Sequence, residues 1–165
     1  MKYDTSRACD DSWWSSDNCF HDADATALNG IELTCARYGS ETPTIKITSG
    51  MAPWGAWKDP ATCPGDKNPV NGFNLKANQN RNAFDKVGAI QLLLSCTNSN
   101  VITAGFVNVE GVEGDWQSSF FKCPVGSAVA GLRTRVQKPQ GTGKDDAGLV
   151  GVRMFCRKIY EGIYE

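Results

Sequence analysis

The stretch that decides the fold covers residues 24–35 and reads Asp-Ala-Thr-Ala-Leu-Asn-Gly-Ile-Glu-Leu-Thr-Cys. In its second half, Ile31, Leu33 and Cys35 alternate with polar residues. Residues two apart share one face of a β-strand. The alternation therefore predicts a strand whose apolar face includes the cysteine.

The same pattern occurs at two later places in the chain. Cys96 follows Cys35 by 61 residues, and Cys156 follows Cys96 by 60. Apolar residues again stand four and two positions before each cysteine, and an aspartate stands eleven positions before each one. These residues are Leu92, Leu94, Val152 and Met154, with Asp24, Asp85 and Asp145 as the aspartates. A fixed period of this kind predicts an internal repeat with three copies.

Each later copy has a front half that contains tryptophan. Trp57 precedes Cys63-Pro64, and Trp116 precedes Cys123-Pro124. An alternating apolar segment follows each Cys-Pro, and the 17 glycines and seven prolines fall at about strand-length intervals. No convincing helical periodicity is present, so the sequence predicts an all-β sandwich, barrel or prism.

The seven cysteines indicate disulfides rather than a metal site. No Cys-x-x-Cys pair occurs and His21 is the single histidine, which disfavours structural zinc. Cys63 and Cys96 are 33 residues apart, as are Cys123 and Cys156, so we predict one bridge in each pair. Disulfides imply an oxidising compartment and hence secretion. An odd count leaves one thiol unpaired or joined to another chain.

The first repeat is shorter than the others. Only 16 residues separate Cys19 from Cys35, where the other copies have 33. Either Cys19 and Cys35 form a contracted bridge, which we favour, or Cys9 pairs with Cys35. A shortened sheet exposes an edge, and an exposed edge is a template for pairing with the C-terminal tail or with a second chain.

Length and charge narrow the class of protein. A chain of 165 residues corresponds to one domain. The 17 basic and 18 acidic residues give a net charge of −1, so charge gives no case for nucleic acid. The sequence contains no apolar run of about 18 residues, so it predicts no membrane span. The opening Met-Lys-Tyr-Asp has no apolar signal core, which we interpret as a mature form without its signal peptide. We expect no cofactor.

Residues 24–35, together with residues 145–156, resemble the signature of the vitelline membrane outer layer protein I family. That family repeats an Asp-Asp-Thr-Ala-Leu-Asn-Gly-Ile-x-Leu-x-Cys element three times. The resemblance implies a β-prism of three Greek-key sheets with pseudo-threefold internal repeats, and an extracellular protein of an egg coat or secretion. We then expect one domain over residues 1–165, with repeats at about 10–48, 49–109 and 110–158 and a tail at 159–165.

Two sets of side chains are candidates for carbohydrate binding. The first is the aspartates, whose carboxylates could bind sugar hydroxyls but could also fix turns by accepting backbone hydrogen bonds. The second is the tryptophans, which stack on sugars when exposed and fill the core when buried. Recurrence in the repeat favours a position in the core or at a sheet-to-sheet corner for Trp57 and Trp116. The candidate residues are Asp24, Asp85, Asp145, Asp146, Trp14 and Trp54.

Three functions agree with these features. The first is a secreted structural or carbohydrate-binding protein whose partner is an oligosaccharide or a glycoprotein matrix. The second is an enzyme on N-acetylglucosamine oligosaccharides with Asp145 or Asp146 as acid or base, which requires two carboxyls about 5–5.5 or 6.5–9.5 Å apart. The third is a module of a toxin or an oligomeric assembly that self-associates through the first-repeat edge.

Overall fold

Every regular element that the structure describes is a β-strand, which confirms the all-β class. The computed structural model describes residues 2–4, 26–37, 43–65, 68–78, 88–106, 113–140 and 146–159. The strands in these ranges are β1 (Lys2–Asp4), β2 (Ala27–Gly30), β3 (Glu32–Ala36), β4 (Pro43–Thr48), β5 (Ala56–Trp57), β6 (Val70–Ala77), β7 (Ala89–Cys96), β8 (Val101–Phe106), β9 (Asp115–Trp116), β10 (Phe121–Lys122), β11 (Ser127–Val136) and β12 (Leu149–Lys158). None of these residues lies in a helix that could cross a membrane.

The strands form antiparallel sheets of different size. The largest has the order β10-β6-β7-β8, and β9 also pairs with β6. A second sheet has the order β2-β1-β5. Strands β11 and β12 form one long hairpin, and β3 and β4 form a shorter one. Strands that are adjacent in sequence pair directly in β1–β2, β3–β4, β6–β7, β7–β8 and β11–β12.

The hairpins β6–β7 and β11–β12 have the same pairing pattern. Phe73 lies opposite Leu94 in the first, and Leu132 lies opposite Met154 in the second. The register shifts twice in each hairpin, at corresponding places near its two ends. The alternating apolar residues of both strands consequently face the core together.

Both disulfides that the equal spacings predict are present. The Cα atoms of Cys63 and Cys96 are 5.8 Å apart, and those of Cys123 and Cys156 are 5.6 Å apart. Each bridge joins the segment before a hairpin to the end of that hairpin's second strand. Cys9 and Cys19 lie outside the described residues, so the pairing of the first repeat stays a prediction.

The core lies between β2 and the two long hairpins, β6–β7 and β11–β12. Its most deeply buried large side chains are Leu28, Leu92 and Leu149, each at most 1% exposed. The remaining buried members of the cluster are Ala27, Ile31, Phe73, Leu75, Ala89, Ile90, Leu94 and Met154. Strands β2, β6, β7 and β12 thus share one apolar interior.

Backbone atoms make the closest contacts where the repeat elements begin. Gly88 donates its N–H to the carbonyl of Ala147 at 2.9 Å, and a Cβ on Gly88 would lie only 2.3 Å from that oxygen. Gly148 has a φ of +58°, and its Cβ would lie 2.5 Å from the carbonyl oxygen of Thr26. Only glycine fits such approaches. The segments that lead into β2, β7 and β12 therefore pack directly on one another.

Candidate functional site

The two tryptophans that recur in the repeat are exposed. Trp57 lies in β5 and Trp116 lies in β9, and they are 41% and 39% exposed. Neither side chain is buried, so the core alternative is wrong for both, and the alternative of a sheet-to-sheet corner stays a prediction. Each stands on a strand of two residues, which is too short for neighbouring strands to cover both faces of the ring. An exposed indole offers an apolar face and an N–H donor to a ligand.

Strand β9 is held firmly against β6, which fixes the position of Trp116. Trp116 lies opposite Lys76, and the N–H of Gln117 donates to the carbonyl of Leu75 at 3.1 Å. The Nδ2 of Asn74 also donates to the carbonyl of Gln117 at 3.4 Å. The chain thus leaves Trp116 tied to the sheet while its side chain remains accessible.

Residues 117–122 continue from Trp116 and line a shallow surface depression. Ser118 and Ser119 are exposed there and bring hydroxyl groups. Phe120 is half-buried, and the Nζ of Lys122 lies 5.5 Å from the centre of its ring. We call Trp116 together with residues 117–122 the Trp116 site. Its aromatic, hydroxyl and amide groups are those that hydrogen-bond and stack with neutral sugars.

A glycine allows the lysine of this site to reach across the sheet. Gly72 lies between Lys122 on β10 and Ser95 on β7. The side chain of Lys122 passes over Gly72, and its Nζ donates to the hydroxyl of the fully buried Ser95. Phe121 packs on the other side, with its ring centre 5.4 Å from that of Phe73. The floor of the depression is therefore fixed by polar and aromatic contacts.

Asp146 stabilises the loop that leads into β12 through a hydrogen bond to the backbone. It is buried, and its Oδ1 accepts the N–H of Gln140 at 2.9 Å. The next residue, Ala147, donates its N–H to the Oε1 of Gln137 at 2.9 Å. These contacts support the turn-fixing interpretation for this aspartate. Asp24, Asp85 and Asp145 lie outside the described residues, so their role in sugar binding stays a prediction.

Of the two tryptophans predicted to bind sugar, Trp14 and Trp54, the second lies in the described residues. Trp54 is half-buried in the segment before β5. That segment is tied to the core because the N–H of Ala52 donates to the carbonyl of Asn29 at 2.8 Å. Trp14 lies outside the described residues. The exposure of Trp57 and Trp116 was not expected from the sequence, in which the shortness of the strand-like stretches around them was the available signal.

No group of three or more histidine, cysteine, aspartate or glutamate side chains gathers within the described ranges in a way that could hold a metal ion. The cysteines at 63, 96, 123 and 156 are all used in disulfides.

These features define a disulfide-bridged all-β protein, and its sequence places it in a known family. The family model described as Vitelline membrane outer layer protein I (VOMI) matches residues 14–159. The chain belongs to this family, as the repeat signature predicts.

Two curated relatives carry the name vitelline membrane outer layer protein 1 homolog. The one from Mus musculus is 36% identical over 133 residues, and the one from Homo sapiens is 34% identical over 133 residues. Each match covers 81% of this chain and 62% of the relative's length. No solved structure matches the chain significantly. The family and the disulfides point to an extracellular protein.

Proposed function

We propose that the protein is a secreted component of an extracellular coat or secretion that binds carbohydrate without covalent chemistry. The names of the mouse and human relatives refer to the outer layer of the vitelline membrane. Two disulfides suit an oxidising compartment and a protein that must persist there. The proposal combines this setting with the chemistry of the Trp116 site.

We further propose that the domain is a β-prism of three Greek-key sheets with repeats at about 10–48, 49–109 and 110–158. The shared pairing pattern of β6–β7 and β11–β12 supports a repeated unit. The close approach of the segments before β2, β7 and β12 supports an arrangement of three units around one axis. An experimental structure would test both statements.

The observation that carries carbohydrate binding is the exposure of Trp116 beside the depression of residues 117–122. The indole is 39% exposed on a strand fixed to β6, so little ordering is needed when a sugar ring stacks on it. The depression that follows Trp116 in the chain is lined by exposed serines and a glutamine. Trp57 offers a second exposed indole on an equally short strand.

A titration with N-acetylglucosamine oligomers tests this function. We expect saturable quenching or enhancement of tryptophan fluorescence in the native protein. Trp116→Ala should weaken binding by about tenfold, because a lost aromatic contact is worth about 1 kcal/mol or more. Calorimetry measures this change in affinity. The matched control is Met51→Ala, which removes another exposed apolar side chain away from β9.

The same samples separate the alternative functions. New oligomer lengths, lost in Asp145→Asn or Asp146→Asn, would replace binding with catalysis. An absence of binding at millimolar oligomer would retire the Trp116 site and leave a structural role. Assembly through the first-repeat edge predicts an oligomer that grows with concentration in sedimentation velocity. A monomer throughout would contradict it.

A further inference from the structure

The outward side of the β11–β12 hairpin carries four arginines and an exposed phenylalanine. We call these residues the arginine face: Arg133 and Arg135 on β11, and Arg153, Phe155 and Arg157 on β12. All five side chains are exposed, whereas Leu132 and Met154 on the opposite side pack in the core. The alternation along both strands thus separates an apolar inner side from a basic outer side.

No carboxylate on the two strands balances this charge. Strands β11 and β12 contain four arginines and Lys158 but no aspartate or glutamate. The whole chain has a net charge of −1, so everything outside the two strands sums to −6, since −1 − 5 = −6. A nearly neutral protein therefore concentrates positive charge on one hairpin.

The register places like charges directly opposite each other. Arg133 pairs with Arg153 across the hairpin, where Cβ atoms are about 4.5–5.5 Å apart. Directly opposed like charges destabilise a sheet. The β3–β4 hairpin shows the opposite arrangement, because Lys46 forms a 2.8 Å ion pair with Glu32. A ligand that supplies negative charge would relieve the repulsion between Arg133 and Arg153.

Glycines make the arginine face flat. Gly131 lies opposite Phe155, and a Cβ on Gly131 would be 3.6 Å from the ring's Cδ2. Gly151 lies opposite Arg135, and its Cβ would be 3.7 Å from the Cβ of that arginine. The bulky side chains therefore extend over glycines instead of against other side chains. Phe155 remains 54% exposed and offers a ring surface between guanidinium groups.

We propose that the arginine face binds a linear anionic polysaccharide that carries sulfate or carboxylate groups. Guanidinium groups bind such oxyanions in a bidentate way. The backbone positions that carry them are about 5 Å apart across the strands and about 7 Å apart along a strand, so an extended polymer can reach several arginines at once. The exposed ring of Phe155 provides an apolar surface for a sugar ring.

Nucleic acid, the other common polyanion, is disfavoured by the disulfides, which place the protein in an oxidising compartment. This inference goes beyond the proposed function, because it uses a different surface and a charged ligand. It holds or fails independently of neutral oligomer binding at the Trp116 site.

Immobilised dextran sulfate, carboxymethyl dextran and unmodified dextran test the inference. We expect binding to both charged polymers at low salt, none to dextran, and a steep loss as salt is raised. Arg133→Gln/Arg153→Gln should lower affinity by about tenfold or more, since two charge-assisted contacts are lost. The matched control is Arg37→Gln/Lys46→Gln, which removes the same net charge from exposed positions next to or in β3 and β4. It should stay within about twofold of the native protein.

Three results would overturn the inference. The first is an equal loss of affinity in both double variants, which would show that only net charge matters. The second is binding that does not depend on salt or on polymer charge. The third is tighter binding to single-stranded DNA than to either charged dextran. Trp116→Ala, tested in parallel, should retain dextran sulfate binding even where it loses neutral oligomers.

Discussion

Gly148 shows how a single residue position limits the whole fold. Its backbone has a φ of +58°, a region that side chains with a Cβ rarely adopt. Its missing side chain also leaves room for the carbonyl of Thr26 and the side chain of Asn29. Ala27, the first residue of β2, has a similar φ of 51° at the corresponding position of the repeat pattern, where an alanine is accommodated. At Gly148 the space, and not the backbone angle alone, excludes a side chain.

We predict that Gly148→Ala lowers the free energy of unfolding by about 2–5 kcal/mol, measured by urea denaturation. The strained φ contributes about 1–2 kcal/mol and overpacking against backbone about 1–3 kcal/mol. The control is Gly126→Ala, where φ is +73° but no atom lies within 4 Å of the added Cβ. That variant should lose only the conformational part. Equal losses in the two variants would show that close packing at Gly148 has no energetic weight.

The sequence pattern predicted which side chains are buried in the long strands, but it did not predict which are exposed in the short ones. The alternation around Leu94 and Met154 predicted their buried positions, because a long strand leaves little freedom in which side faces the core. The exposure of Trp57 and Trp116 was not predictable in this way. A two-residue strand has no periodicity, so the environment of its tryptophan depends on which strand happens to cover it.

At the scale of elements, the two disulfide-bridged hairpins are nearly equivalent. Both bridges close a loop with a sequence separation of 33, and both end near the last residues of a hairpin's second strand. The chain-entropy model assigns a bridge of this loop length about 3–4 kcal/mol. Cys63 and Cys96 are both buried, whereas Cys156 is partly exposed.

We predict that Cys63→Ala/Cys96→Ala and Cys123→Ala/Cys156→Ala each reduce the free energy of unfolding by about 3–4 kcal/mol. The first pair should lose slightly more, because its sulfurs leave a better buried site. Each double variant is the control for the other, since loop length is held constant. Urea denaturation measures both. A much larger loss for Cys123→Ala/Cys156→Ala would contradict the loop-length explanation.

Sequence patterns predicted hairpins better than they predicted sheets. The alternating segments after each Cys-Pro became β6 and β11, and the repeat elements became β7 and β12. The pairing of β9 and β10 with β6 was not predictable, because such short strands are specified by tertiary contacts. The sheet that joins β1 to β2 and β5 was not predictable for the same reason, since residues 2–4 are far from both partners in sequence.

At the scale of the whole molecule, the Trp116 site and the arginine face belong to different sheets. The first stands beside β6 in the largest sheet, and the second covers the β11–β12 hairpin. One surface suits neutral sugars and the other suits anionic polymers. The two proposals together assign the molecule two separate carbohydrate-binding surfaces.

We predict that the two ligands bind without competition. Saturating N-acetylglucosamine oligomer should change the affinity for dextran sulfate by less than about twofold, because ligands on separate surfaces couple only through a conformational change. Raising the salt concentration should weaken dextran sulfate binding while leaving the neutral oligomer nearly unaffected. Calorimetric titration of each ligand in the presence of the other measures this. Mutual displacement would place both ligands on one surface.

The backbone contacts at Gly88 and Gly148 also bear on how such a protein evolves. At these two positions the segments meet through main-chain atoms, so these contacts do not depend on which side chains the outer sides of the sheets carry. Ser95 and Phe155 occupy matching places before the final cysteines of their hairpins, yet one lies buried beneath Lys122 and the other faces solvent. Two hairpins with the same pairing pattern can therefore carry different outward chemistry, and a new binding surface can arise on one without altering the other.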